Sequence, residues 1–166
     1  MEINFVVRRA ELADASDMAR VHVDTWRETY RGLMSDAVLD DPGLLARRET
    51  FWTAVLSDPR YSANNVAVAT HEGSVVGIAM ASPTLVDSDE PQELHLLYSY
   101  ADVHGSGVGR ALLNAVIEPG APAVLWVADP NPRAQAFYKK NGFAPDGTSQ
   151  VEDGVRDIRM VRGAGT

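Results

Sequence analysis

ELHLLYSYADVHGSGVGRALL, residues 93–113, runs from an apolar strand through a glycine-dense turn directly into a helix. Gly105, Gly107 and Gly109 lack Cβ atoms, so the backbone here can bend sharply and bring its N–H groups close to an anion. The helix that begins near Gly107 adds unpaired N–H groups and the positive end of its dipole. The turn therefore predicts a phosphate site, although a turn that is simply tight would also use these glycines.

The spacing of the glycines excludes two common nucleotide loops. A P-loop needs Gly-x-x-x-x-Gly-Lys-Ser/Thr, and no Lys lies between Gly105 and Leu113. A dinucleotide fingerprint needs Gly-x-Gly-x-x-Gly, but Arg110 stands where the third glycine belongs. The turn therefore binds its anion in another arrangement.

A second segment, WVADPNPRAQAFYKKNGF at residues 126–143, has the signals of a strand followed by a helix. Asn131 is a good N-cap, and Pro132 suits the first helical position. Gly142 fits a left-handed helix terminus.

The two segments, in this order, resemble the GCN5-related N-acetyltransferase (GNAT) family. The family's Gln/Arg-x-x-Gly-x-Gly/Ala pattern is matched at residues 104–109, with His104 in place of Gln or Arg. The second segment resembles the family's Asn-x-x-Ala helix and its Phe-Tyr-x-x-x-Gly-Phe close. The two motifs cover about a third of the chain.

Hydrophobic periodicity and turn residues predict the order β-α-α-β-β-β-α-β-α-β-β. The predicted strands are 3–7, 66–70, 75–80, 94–99, 124–127, 143–150 and 155–161, and the predicted helices are 14–32, 43–56, 107–118 and 132–141. With the resemblance, this order implies an α/β (α+β) fold. Its mixed, mostly antiparallel sheet has six or seven strands, helices on both faces and a splayed parallel pair in the centre. We expect a single acyl-CoA N-acyltransferase domain over residues 1–166.

The composition of the chain excludes several classes of binding partner and site. A net charge of −8 argues against nucleic acid, because phosphate backbones need clustered Lys and Arg. The absence of Cys excludes disulfides, thiolate metal sites and a Cys nucleophile, and fits a cytoplasmic protein. We expect no signal peptide and no membrane segment. His95 and His104 look too isolated from acidic or His partners for zinc, so we expect no metal. Homodimerisation stays open.

The resemblance implies transfer of an acetyl group from acetyl-CoA to a primary amine by direct attack in a ternary complex. In the family, pantetheine lies where two strands splay apart, so backbone groups of Leu97, Tyr98 and Ser99 would pair with it. The N–H of Tyr98 or Ser99 would donate to the thioester oxygen. The residues expected to bind the cofactor are Leu97, Tyr98, Ser99, His104, Gly105, Ser106, Gly107, Val108, Gly109, Arg110, Asn131 and Tyr138.

Tyr138 is the expected acid catalyst, because its phenol could protonate or hydrogen-bond the leaving thiolate. The reference pKa values, about 10 for Tyr and about 8.5 for a thiol, make a hydrogen bond sufficient. Of the adjacent aromatic residues Phe137 and Tyr138, the family position favours Phe137 as the core residue. The alternative is that Tyr138 is itself a core residue.

Two side chains are candidate bases. Glu93 lies where several family members place a catalytic carboxylate. His95 is its rival, since an ordinary His pKa of about 6.5 suits base work near neutrality. Both would share a strand face with Ser99 if no bulge intervenes. Water is a third acceptor for the proton, and both side chains could instead be structural.

Trp26 and Tyr30 lie in a segment that resembles the first helix of small-molecule members, a region that lines the acceptor side. The acidic residues Asp87, Asp89 and Glu90 could favour a cationic amine. We therefore expect a small polyamine-like, amino-sugar or amino-acid-like acceptor. The alternatives are acetylation of protein N-termini or lysines, and a non-catalytic acyl-CoA sensor.

Overall fold

The described part of the computed structural model, residues 3–84, 91–152 and 154–163, forms a seven-stranded sheet. Its strands are β1 (Val6–Arg9), β2 (Asn65–His71), β3 (Ser74–Ser82), β4 (Gln92–Ser99), β5 (Ala123–Ala128), β6 (Ala144–Glu152) and β7 (Val155–Arg162). They lie in the order β1-β2-β3-β4-β5-β7-β6. Neighbouring strands are antiparallel except β4 and β5, which are parallel. This confirms the predicted mixed sheet with a parallel pair in its centre.

Helices cover both faces of the sheet, as expected. They are α1 (Ala15–Tyr30), α2 (Asp36–Leu39), α3 (Leu44–Ser57), α4 (Val108–Val116) and α5 (Pro132–Lys140). On one face, Val108 and Leu112 of α4 pack in a cluster with Tyr138 of α5. On the other, Met18 of α1 packs with Trp52 of α3. The short helix α2 lacked enough periodicity to be predicted.

Two predictions about the ends of the chain's elements need correction. The first strand begins at Val6, not Ile3, because its pairing with β2 runs only from Val6 opposite Thr70 to Arg9 opposite Ala67. Helix α4 ends at Val116 rather than near Glu118. The acidic run at Asp87, Asp89 and Glu90 falls within residues 85–90, outside the described residues.

A β-bulge interrupts β4 at His95. Met80 of β3 lies opposite Leu96, but the next residue, Ala81, lies opposite Leu94. One residue of β4 is therefore extra, and the alternation of its side chains shifts by one. As a result, Leu94 and Leu97 pack in the same core cluster although they are three residues apart. Glu93 and His95 were expected to share a strand face with Ser99 only if no bulge intervened, and this bulge intervenes.

Candidate functional site

The parallel strands β4 and β5 separate after a short paired stretch. Residues 92–94 of β4 pair with residues 123–125 of β5, and the register goes no further. The remainder of β5 continues to pair with β7 on its other side. Over residues 95–99, β4 therefore pairs with β3 on one side, while its edge toward β5 has no strand partner in the described part of the chain. A cavity of about 360 Å³ lies at this split, and we call it the donor cavity.

The register of β4 decides which of its amides face the split. The N–H of Tyr100 donates to the carbonyl of Val76 on β3 at 3.1 Å. In an antiparallel ladder the bonded pairs alternate, so the N–H of Tyr98, opposite Ile78, also points to β3. The N–H groups of Leu97 and Ser99 therefore point into the split. The N–H of Tyr98 therefore cannot donate to the thioester oxygen, and that part of the expectation is wrong. The N–H of Ser99 stays the predicted donor.

The glycine turn follows the free edge directly. Gly105 has a φ of +80° and Gly107 a φ of +94°, the left-handed conformation that side chains with a Cβ rarely adopt. Neither amide N–H has a hydrogen-bond acceptor among the described residues. A ring nitrogen of His104 lies 3.1 Å from the carbonyl of Ser99, which ties the turn to the end of β4. The turn thus presents unpaired donors beside the split.

Gly109 differs from the other two glycines. It lies within the first turn of α4, and a Cβ built there would lie 3.4 Å from two ring carbons of Phe137. Its missing side chain therefore permits close packing between α4 and α5. Gly109 also lines the donor cavity, together with Gly105 and Gly107.

Three basic side chains line the donor cavity: Arg110 of α4, and Arg133 and Lys140 of α5. Arg110 was expected from the sequence, whereas Arg133 and Lys140 were missed because a single basic residue on a helix gives no signal. Asn131 lines the same cavity, and its Oδ1 accepts a hydrogen bond from the N–H of Ala134 at 3.3 Å. The predicted N-cap is confirmed.

Tyr138 lines the donor cavity but is more buried than expected. Its side chain is 8% exposed and belongs to the core cluster, while Phe137 is only partly buried at the edge of that cluster. The expectation that Phe137 is the core residue of the pair is therefore wrong, since α5 turns Tyr138 inward. Burial raises the pKa of the Tyr138 phenol above its ordinary value.

Glu93 and His95 are partners rather than rivals. The Nδ1 of His95 lies 3.1 Å from Oε2 of Glu93, and its Nε2 lies 2.8 Å from Oγ of Ser82. The hydrogen bond from His95 lowers the pKa of the Glu93 carboxyl. The view of His95 as isolated from acidic partners is corrected accordingly.

A second cavity, of about 540 Å³, adjoins the first, and we call it the acceptor cavity. The two cavities share the lining residues Tyr30, Leu94, His95, Tyr98 and Trp126. Trp26 lines the acceptor cavity and donates its Nε1–H to the hydroxyl of Tyr98 at 3.1 Å. Both predicted acceptor residues, Trp26 and Tyr30, therefore line the cavity next to the split, together with Glu93.

Sequence reasoning missed Arg48, Glu152 and Asp157, which also line the acceptor cavity. Burial raises the pKa of the Asp157 carboxyl. These residues come from α3, β6 and β7, far apart in the chain, and no local pattern marks them.

Metal centres and membrane-spanning helices are two further features to consider in residues 3–84, 91–152 and 154–163. No group of three or more His, Cys, Asp or Glu side chains there could hold a metal ion. No helix in those ranges combines the length and apolar character that a membrane span requires.

Known proteins with the same architecture include a PaiA N-acetyltransferase from Thermoplasma acidophilum, whose crystal structure was determined in complex with coenzyme A. It superposes with a TM-score of 0.74 at 17% identity, covering 97% of this chain and 99% of that one. At this identity the likeness shows the fold alone.

Two relatives are similar in sequence. The protein named "Probable N-acetyltransferase Rv2775" of Mycobacterium tuberculosis is 29% identical over 149 residues, which are 87% of this chain and 82% of that protein. The "Peptidyl-lysine N-acetyltransferase YjaB" of Escherichia coli is 37% identical over 62 residues, 37% of this chain and 42% of YjaB.

The family model described as "Acetyltransferase (GNAT) domain" matches residues 40–163. The chain therefore belongs to the GNAT family, and the resemblance found in its two motifs is confirmed. The protein is an acetyltransferase enzyme, which sets aside the non-catalytic sensor.

Proposed function

We propose that this enzyme transfers an acetyl group from acetyl-CoA to the primary amine of a small molecule, by direct attack in a ternary complex. The observation that carries the proposal is the free edge of β4 at Leu97 and Ser99, which lies between the glycine turn and the acceptor cavity. No Cys is present in the sequence to form an acetyl-cysteine intermediate. A single domain over residues 1–166 and a cytoplasmic location belong to the same proposal.

The donor cavity has the chemistry that coenzyme A requires. The left-handed turn leaves the amides of Gly105 and Gly107 free to donate to a diphosphate, and the side chain of Arg110 adds positive charge beside them. The backbone N–H groups of Leu97 and Ser99 face the split. They can pair with the amide groups of pantetheine as they would with a neighbouring strand. When bound, acetyl-CoA supplies the acetyl group as a thioester. The N–H of Ser99 is the donor proposed for the thioester oxygen.

His95 is the proposed base, and Glu93 orients it. Glu93 accepts the Nδ1 proton of His95, so Nε2 accepts the hydroxyl of Ser82 and is the nitrogen that can take a proton, with that hydroxyl as the relay. His95 lines both cavities, where it can take the proton that the ammonium group must lose before attack. The nitrogen lone pair then forms the bond to the acetyl carbon while the carbon–sulfur bond breaks. Direct release of the proton to water is the alternative.

Tyr138 is the proposed hydrogen-bond donor to the leaving thiolate. Its buried phenol lines the donor cavity, and its raised pKa keeps the hydroxyl protonated. A phenol less acidic than the thiol stabilises the thiolate through a hydrogen bond, without completing the proton transfer.

The test is a thiol-release assay with acetyl-CoA and a panel of small amines. A chain without Cys gives no protein thiol background. We expect acetyl-CoA-dependent release of thiol with at least one small amine, and mass spectrometry should detect the acetylated product. Coenzyme A binding without transfer to any free amine, together with acetylation of peptides, would contradict the small-molecule assignment.

The second candidate is acetylation of a protein lysine, and the similarity to YjaB over 62 residues favours it. Protein N-terminal acetylation is a related alternative. Lysine-containing peptides and the matching free amines, assayed at equal concentration, distinguish the candidates. The proposal expects kcat/KM to be higher for a free amine than for every peptide.

A further inference from the structure

Arg48, on α3, is an arginine in an unusual situation. Its guanidinium carbon lies over the Trp26 ring, 4.5 Å from the ring centre, a cation–π contact that favours this position of the group. Its Nε is buried and has no hydrogen-bond partner in the described part of the chain. The side chain is half-buried and lines the acceptor cavity. A buried donor without a partner is costly, so its retention needs an explanation.

Other arginines of the chain have the partners that Arg48 lacks. Arg47, its neighbour on α3, forms an ion pair with Asp41 at 2.9 Å. Comparable ion pairs join Arg8 to Asp14, Arg31 to Asp40 and Arg60 to Asp58. The buried Arg162 donates to three backbone carbonyls. Within the described residues, Arg48 takes part in no ion pair.

The positively and negatively charged residues that line the acceptor cavity lie on different walls of it. Arg48 and the ring of Trp26 lie on the helical side, contributed by α3 and α1. The carboxylates of Glu93, Glu152 and Asp157 lie on the strands β4, β6 and β7. A ligand that fits both walls has a cationic group toward the sheet and an anionic group toward the helices.

We infer that the acceptor is a small amine that also carries a carboxylate, as an amino acid does, and that Arg48 binds this carboxylate. The inference rests on the proposed function and names its substrate class. The planar guanidinium can donate to both oxygens of a carboxylate, which would give Arg48 the ion pair that it lacks. Burial lowers the pKa of Arg48, and a bound anion would offset that effect. A polyamine would leave Arg48 unpaired and place a second cation near it.

The experiment compares matched acceptors with the full chain and acetyl-CoA. Each of a panel of L-amino acids is assayed beside its own carboxamide, which has the same shape without the negative charge. We expect kcat/KM to favour the carboxylate by about 10- to 100-fold, the range for a hydrogen bond to a charged group. Arg48→Met should abolish that preference by raising KM far more for the carboxylate than for its carboxamide. Arg47→Met, a neighbour outside the cavity, should keep the preference.

The outcomes separate this inference from the function beneath it. Equal rates for carboxylates and carboxamides, or a preference that survives Arg48→Met, would overturn the assignment of Arg48 and leave the acetyltransferase proposal standing. A higher kcat/KM for O-phosphoethanolamine than for every amino acid would also overturn the inference that the anionic group of the acceptor is a carboxylate. If Arg48→Met fails to fold, Arg48→Lys gives the result: a loss confined to carboxylate acceptors supports the inference. Failure to acetylate any free amine overturns both proposals.

Discussion

The donor cavity and the acceptor cavity share a wall but are built in different ways. The proposed binding groups of the donor cavity are mostly backbone amides at residues 97–109, a single continuous stretch. The acceptor cavity is lined by residues from α1, α3, β4, β5, β6 and β7. The donor site therefore depends on backbone conformation, while the acceptor site depends on residue identity at positions far apart.

This difference predicts that substitutions are tolerated differently on the two sides. A backbone cradle needs glycine only where φ is positive, at Gly105 and Gly107, and leaves most neighbouring side chains unconstrained. A cavity lined by side chains changes its preferred ligand with one substitution. Variants on the two sides should accordingly fail in different ways.

The largest effect is expected at Tyr138. We expect Tyr138→Phe to lower kcat by about 10²-fold, since the thiolate loses its hydrogen bond while both cavities keep their shape. Because burial raises the pKa of this phenol, its ionisation should produce no fall in kcat up to about pH 10. Steady-state kinetics with Tyr61→Phe as the control, at a more exposed tyrosine, measures the effect. An unaltered kcat would remove Tyr138 from the mechanism.

The next largest effect tests the backbone cradle. Gly107→Val should weaken coenzyme A binding by about 30-fold, because a β-branched residue cannot hold a φ of +94° and the turn would rearrange. Gly120→Val places the same strain at a φ of +79° away from the donor cavity and should leave affinity unchanged. Calorimetry measures both dissociation constants. Equal losses in the two variants would mean that the effect is one of stability.

A smaller effect is expected at Glu93 on the acceptor side. Glu93→Gln should lower kcat/KM by about 10-fold, because a neutral amide orients His95 less firmly, while the dissociation constant for coenzyme A stays unchanged. The pKa of Glu93 is already lowered by His95, so the acid limb of the rate profile above pH 5 should not come from this carboxyl. Glu118→Gln, at an exposed position, is the control. A rise in the dissociation constant for coenzyme A would contradict the view that Glu93 acts on the acceptor side alone.

The smallest effect concerns stability beneath the acceptor cavity. His22 is 3% exposed, and its Nδ1 accepts the Nε1–H of Trp52 at 3.2 Å, so the folded protein holds it neutral. Burial lowers its pKa from 6.5 to about 3. The unfolded chain therefore binds a proton below pH 6.5 that the folded chain does not, and stability falls as the pH falls.

Between pH 6.5 and 5.5 this linkage should reduce the free energy of unfolding by about 1 kcal/mol. Urea denaturation of the wild type and His22→Gln across that interval measures it. Whatever its stability at pH 6.5, the variant should lose about 1 kcal/mol less over the interval. Equal slopes for the two proteins would show that His22 is protonated in the folded state.

The donor side could be predicted from the sequence because its signals are local. The glycine turn, the cap at Asn131 and the parallel pairing of the two strands all follow from short segments and their order. The bulge at His95 could not, since it arises from the register between β4 and β3. That register also turned the Tyr98 amide away from the split.

The acceptor side escaped prediction for a related reason. Arg48 and Asp157 lie 109 positions apart in the numbering and meet only when α3 and β7 are placed around the same cavity. The inward turn of Tyr138 relative to Phe137 also depends on how α5 packs on the sheet. Long-range packing therefore decides what the motifs leave open.

The central claim is that backbone amides between residues 97 and 109 hold coenzyme A, and an NMR titration tests it most directly. Adding coenzyme A to ¹⁵N-labelled protein should produce its largest amide shifts at Leu97, Ser99, Gly105 and Gly107. The amides of Gly32 and Gly120, which also have positive φ, should stay in place. Shifts concentrated elsewhere, or none at saturating coenzyme A, would contradict the account.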